Sequence, residues 1–150
     1  MMVTFELNGQ IKSFHIDQGE FLIDTLRRHH VVSPRRGCDT TSCGVCTVLI
    51  DDQPMPSCAL LTARVNDKKV TTVEGIADFA AELSAYFGKE GADQCGFCNP
   101  GIALSVYAMA QTEENIDDDT IRHYLVGHLC RCSGYVSQTK AIKAFLEGRK

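Results

Sequence analysis

Phe14 and Ile16 alternate with polar residues over Lys12 to Ile16, the period-two pattern of a half-buried strand. Val3 to Asn8 before it and Gly9-Gln10 between them predict a strand, turn and strand. The spacing then changes. Phe21, Leu22, Ile23 and Leu26 recur at helical intervals, so a helix is expected from Phe21 to His30, ending before Ser33-Pro34. Cys46 to Ile50, the turn Asp51-Asp52 and Gln53 to Cys58 predict a second pair of strands, and Val70 to Val73 a last one. Beyond Gly75 the pattern is helical: about Ala77 to Phe87, Pro100 to Ala110, Asp117 to Leu125 and Tyr135 to Glu147. Asn115-Ile116-Asp117 supplies capping residues and acidic charge for the third of these helices, and Gly127 can stop it. No fixed-period repeat, low-complexity segment or long linker intervenes, so the two halves are expected to pack closely.

The chain has 150 residues, enough for one generous domain or two small ones. Its net charge of −4 argues against a nucleic-acid groove, which needs a basic face to displace counterions from phosphates. The longest nearly apolar run, Val45 to Ile50, is far short of the roughly twenty residues of a membrane span. The N-terminus has neither a basic n-region nor an apolar h-region, so no secretory signal is visible and a cytoplasmic location is expected.

That expectation makes the 8 cysteines the informative feature, because the cytosol keeps thiols reduced. They form two groups of four. Cys38, Cys43, Cys46 and Cys58 read Cys-x4-Cys-x2-Cys, then a distant Cys, which is the plant-type ferredoxin spacing for a [2Fe–2S] cluster. A rhombic two-iron cluster needs two thiolates per iron, and a short loop can wrap it while aiming backbone N–H groups at the sulfides. Gly37 and Gly44 flank the loop where close backbone approach is needed. With this loop across the mouth of a mixed sheet and one helix, the fold class expected is α+β. A β-grasp, ferredoxin-like domain (residues 1–75) precedes an all-α four-helix domain (residues 76–150).

Cys95-x2-Cys98 and Cys130-x-Cys132 form the second group, each pair at a helix boundary. Asn99-Pro100 reads as an N-cap followed by proline at the first helical position, and Ser133-Gly134 precedes the last helix. The free N–H groups and positive dipole of a helix N-terminus suit an anionic thiolate–sulfide cluster. A four-thiolate zinc site uses the same ligands, but its usual form is two Cys-x2-Cys knuckles, and Cys130-Arg131-Cys132 is tighter.

Three stretches carry a resemblance. They are Gly37-Cys38-Asp39-Thr40-Thr41-Ser42-Cys43-Gly44-Val45-Cys46-Thr47-Val48, Gln94-Cys95-Gly96-Phe97-Cys98-Asn99-Pro100-Gly101 and Leu129-Cys130-Arg131-Cys132-Ser133-Gly134-Tyr135. The chain resembles, over essentially its whole length, the small iron–sulfur subunit of the molybdenum hydroxylases, the xanthine dehydrogenase and carbon monoxide dehydrogenase family. The resemblance implies two [2Fe–2S] clusters that carry electrons one at a time. The cluster on Cys95, Cys98, Cys130 and Cys132 would be nearest molybdenum, and that on Cys38, Cys43, Cys46 and Cys58 nearer a flavin. It also implies a molybdopterin-binding large subunit, an FAD-binding medium subunit and a dimer of heterotrimers. Gln94 and Cys132 would approach the pterin, and no catalytic residue is expected on this chain. The substrate, implied by family frequency alone, is a purine such as xanthine; another N-heterocycle, an aldehyde or carbon monoxide stay open.

The chain departs from many relatives at Thr41 (often glycine), Val45 (alanine), His128 (asparagine), and Asn99 and Ser133 (threonine). Thr41 would matter if the position needs a positive φ. His128, two residues before Cys130, is read as capping or packing at a helix end, with tuning of the cluster or proton exchange as the alternative. His29-His30 and His123 have no Cys or His partner at metal spacing, and Lys68-Lys69 and Arg35-Arg36 read as solvated turns. Ser42, Ser57 and Ser133 beside cysteines read as loop hydroxyls, because no His/Asp constellation would activate them. A free-standing two-cluster ferredoxin and a zinc-stabilised interaction module remain as other readings.

Overall fold

A computed structural model describes residues 1–113 and 115–149. Strands β1 (Met2–Leu7) and β2 (Gln10–His15) form an antiparallel hairpin. Asn8 and Gly9 between them both have positive φ, the geometry that matches a two-residue turn to the twist of its strands. Helix α1 (Leu22–Arg28) follows, then the first cysteine loop, β3 (Thr47–Ile50), β4 (Gln53–Pro56) and β5 (Lys69–Thr71). Asp51 and Asp52, also at positive φ, turn β3 into β4. The sheet order is β2-β1-β5-β3-β4, with β1 and β5 parallel and the other pairs antiparallel.

All four residues of β3 are buried, as expected of a strand covered on both faces. Val48 and Ile50 join Phe5, Phe14, Leu22 and Leu26 in a core beneath α1. Leu49 points the other way, into a second core shared with the helices α2 (Ala77–Lys89), α3 (Asn99–Thr112), α4 (Asp118–Leu125) and α5 (Val136–Glu147). Helix α3 buries residues nearly all round, the mark of a central helix. The described residues therefore form a mixed five-stranded sheet with five α-helices, one apolar layer on each side of β3. Among the described residues no helix is long and apolar enough to cross a membrane.

The element ends differ from expectation for local reasons. Gln53 to Cys58 was expected to be one strand, but β4 stops at Pro56 and the chain turns at Ser57-Cys58. Val70 to Val73 is shorter too: β5 ends at Thr71, and Val73–Ile76 is a 3-10 turn. Asn99 is not the cap of α3. It is the first residue of the helix, Cys98 is the flanking residue, and the Asn99 amide instead donates to Asp93 at 3.0 Å. Asp117 does cap α4, accepting from Thr120 N–H at 2.8 Å.

Candidate metal centres

The first loop is pinned by its backbone. Gly44 C=O accepts from Thr47 N–H (3.1 Å) and from the Thr47 hydroxyl (2.7 Å), and Cys46 C=O accepts from the buried Ser57 hydroxyl at 2.7 Å. These ties bring Cys46 Sγ within 3.3 Å of Cys58 Sγ, both buried beside Ile23. Cys38 lies near Cys43; its thiol is lowered to about 6 by the Cys43 thiol and by backbone N–H groups of Cys43, Thr40 and Ser42. Such N–H groups suit an anionic sulfur. Burial has the opposite effect on Cys58, which is pushed up to about 12, with Cys46 adding to the shift. Thr41 has φ +57, so the loop does require the left-handed conformation at this position.

The second set comes from three helix ends. Cys95 and Cys98 precede α3, and Cys130 and Cys132 lie between α4 and α5. Cys132 Sγ is 3.6 Å from Cys95 Sγ, both exposed. Cys98 and Cys130 make the inner pair: burial, then the neighbouring Cys130, pushes the Cys98 thiol up to about 12. Burial also pushes Cys130 up, but the Ser133 hydroxyl and N–H outweigh it and hold the thiol below its ordinary value. The residue flanking α5 is Tyr135, at φ +69. Ser133 Oγ lies 3.2 Å from Cys130 Sγ, and the Tyr135 hydroxyl accepts from Cys130 N–H at 2.9 Å.

The two sets face one another across a cavity of about 520 Å³ lined by Cys38, Cys43, Cys95, Cys98, Cys130 and Cys132. Leu129 N–H donates to Cys43 C=O at 2.9 Å, a direct tie between the two ligand loops. A second tie is Arg35, which donates to Gly96 C=O at 2.7 Å and lies over the Phe97 ring. A methyl on Gly37 would come within 2.8 Å of Val45, and one on Gly101 within 2.6 Å of Gly44 C=O, so both glycines allow contacts no side chain would. His128 is buried in the same seam. Its Nε2 is 2.7 Å from Ser105 Oγ, and burial lowers it to about 4, so the ring is neutral at pH 7.

Each set thus offers one close sulfur pair, Cys46–Cys58 at 3.3 Å and Cys95–Cys132 at 3.6 Å, with its other two cysteines, Cys38 and Cys43 or Cys98 and Cys130, acting on one another as neighbours. Pairs are what a rhombic two-iron cluster needs, one pair per iron, and the N–H groups on Cys38 and Cys130 suit its negative charge. Two adjoining family matches cover the same segments: a 2Fe-2S iron-sulfur cluster binding domain over residues 5–73 and a [2Fe-2S] binding domain over residues 72–143. The nicotinate dehydrogenase small FeS subunit of Eubacterium barkeri is 31% identical over 97% of this chain and 94% of its own length. The xanthine dehydrogenase iron-sulfur-binding subunit of Escherichia coli O157:H7 is 37% identical, over 89% and 87%. This chain belongs to the iron–sulfur subunits of the molybdenum hydroxylases.

Quinoline 2-oxidoreductase from Pseudomonas putida 86 contains a chain that superposes with a TM-score of 0.89, at 32% identity, over 99% of this chain and 94% of that one. As in other members of the iron–sulfur subunit family, two [2Fe–2S]-binding domains lie in one chain that forms part of an oxidoreductase. Gln94 is exposed, and its amide donates to Gly91 C=O at 3.3 Å. His29 packs edge-on against Phe14, while Lys68 and Lys69 pair with Asp51 and Asp52 on the surface. Arg35, read from sequence as part of a solvated turn, is instead a bridge between the cysteine loops. Its partners are 61 and 62 residues away along the chain, so no local pattern exposes the role.

Proposed function

We propose that this chain is the electron relay of a molybdenum hydroxylase, with Cys38, Cys43, Cys46 and Cys58 holding one [2Fe–2S] cluster and Cys95, Cys98, Cys130 and Cys132 the other. The observation that carries the reading is the cavity lined by Cys38 and Cys43 of the first set and all four cysteines of the second, beside the Leu129–Cys43 hydrogen bond. Bound clusters would supply one-electron redox steps. The chain's own part is to hold the thiolates in pairs, to aim N–H groups at Cys38 and Cys130, and to keep the loops together through Arg35 and His128. We read residues 1–75 and 76–150 as the two cluster-binding domains, the second a four-helix unit.

The second set opens outward. Cys95 and Cys132 are exposed beside exposed Phe97, Leu129, Tyr135 and Val136, an apolar rim suited to a large protein partner. That rim supports a molybdopterin-binding large subunit at this face, with Gln94 and Cys132 in contact with the pterin. An FAD-binding medium subunit, assembly as a dimer of heterotrimers, a cytoplasmic location and a purine substrate such as xanthine complete the proposal. The relatives' names cover nicotinate, xanthine and aldehyde, so a substrate panel is the sharper probe.

The test is affinity purification of the tagged chain from its native cells, followed by metal and flavin analysis and anaerobic addition of xanthine, nicotinate and an aldehyde. Co-purifying molybdenum and FAD, with cluster absorbance bleached by xanthine, is the expected result. A chain that purifies alone with both clusters would be a free carrier, and the relay assignment would be wrong. Bleaching by nicotinate or aldehyde alone would overturn the purine assignment.

A further inference from the structure

The interior of the helical half holds a polar side chain whose burial its neighbours do not explain. Gln138 lies on α5 and is 0% exposed, on a helix that also buries Thr139, Ala141, Ile142, Phe145 and Leu146. Its Oε1 has no hydrogen-bond partner among the described residues. An orphaned buried polar atom loses its hydration with no bond in exchange, so an apolar residue of the same size would serve packing better. The other end of the amide is engaged: Nε2 lies 3.8 Å from Cys98 Sγ. Asn99, also 3.8 Å from that sulfur, presents its Oδ1, because its Nδ2 is held by Asp93. The Gln138 amide is therefore the side-chain N–H donor aimed at Cys98.

We propose that Gln138 tunes the cluster on the Cys95, Cys98, Cys130 and Cys132 set, raising its reduction potential by donating an amide N–H to the Cys98 sulfur. The inference rests on the ligand assignment made above. A ligating thiolate is an acceptor only, so it fixes which end of the amide faces it. The reduced cluster carries one more negative charge than the oxidised one. A fixed N–H dipole at a ligand sulfur therefore favours the reduced form more, and it acts out of water, where its field is little screened. Such outer hydrogen bonds are a recognised lever on metal sites. Gln138 touches none of the first set, so its effect is confined to one cluster.

The test is an EPR-monitored redox titration of the holoprotein, comparing wild type with Gln138→Met and Gln138→Leu and following thermal unfolding in parallel. Methionine keeps the length of the side chain and removes both amide atoms. The expected result is a more negative potential for the second cluster alone, an unchanged first cluster, and a thermal midpoint equal to or above wild type. An unmoved second potential, or an equal shift of both clusters, overturns the proposal. So does loss of the second signal in both variants, which would make Gln138 an assembly residue. Cys98→Ser separates the two levels of the argument. If that variant keeps a normal second cluster, the ligand assignment itself has failed; if the cluster is lost while Gln138→Met leaves the potential in place, only the tuning role has.

Discussion

Replacing Gly44 by alanine puts a methyl group where two cysteine loops already touch. Gly44 has φ +71, and its added Cβ would stand 2.1 Å from Gly127 C=O and 2.9 Å from His128 Nδ1. The left-handed backbone costs an L-residue about 1–2 kcal/mol. Overpacking in a close-packed seam costs about 1–3 kcal/mol more, and here the obstacle is a backbone carbonyl that cannot swing aside. The sum, roughly 2–5 kcal/mol, is a large part of the ~5–15 kcal/mol that holds a typical domain folded. It corresponds to a fall of about 4–20 °C in thermal midpoint for a chain of this size. Gly91→Ala is the matched control: its φ is +64, with nothing within 4 Å of the added Cβ, so it bears the conformational cost alone. Thermal unfolding of the holoprotein should place Gly44→Ala well below Gly91→Ala. EPR should show the signal of the second set perturbed, although Gly44 lies in the first loop. Equal thermal shifts, with the second signal untouched, would refute the claim that the two loops are one packed unit.

Three further outcomes follow from single contacts. Asp117→Ala removes the side-chain cap of α4 and should lower the midpoint of guanidinium unfolding, without changing either cluster signal. Burial pushes the Glu20 carboxyl up, but hydrogen bonds from Asp17 N–H, the Thr25 hydroxyl and Arg28 outweigh it and hold it below its ordinary 4.5. That stabilisation is complete above about pH 4.5 and is lost as pH falls through the lower folded value. Glu20→Gln should therefore lower stability at pH 7, and the two unfolding curves should converge in acid; a constant gap at every pH would count against it. Cys58→Ser should abolish the first cluster's signal and leave the second intact.

The cysteine sets and most elements were legible because they rest on local spacing. Cys-x4-Cys-x2-Cys is a property of one loop, and the strand and helix periods around it are properties of short windows. The strand ends were less legible, since Pro56 and Val73 stop β4 and β5 through turns that apolar alternation does not reveal. Asn99 and Ser133 show the same limit: both have capping chemistry, but Asp93 and Cys130 compete for their side chains. What stayed hidden depends on contacts between distant segments. The Gly101–Gly44 approach, the burial of His128 against Ser105, the Arg35 bridge and the Gln138 amide at Cys98 each join residues at least 23 positions apart. Gln138 in particular reads from sequence as an ordinary polar residue of an amphipathic helix.

The most direct test of the central claim, that each cysteine set holds its own [2Fe–2S] cluster, is low-temperature EPR of the anaerobically isolated, dithionite-reduced protein with spin quantitation. The account predicts two distinct reduced [2Fe–2S] signals of equal intensity. A single signal, or a colourless protein containing zinc and no sulfide, would contradict it.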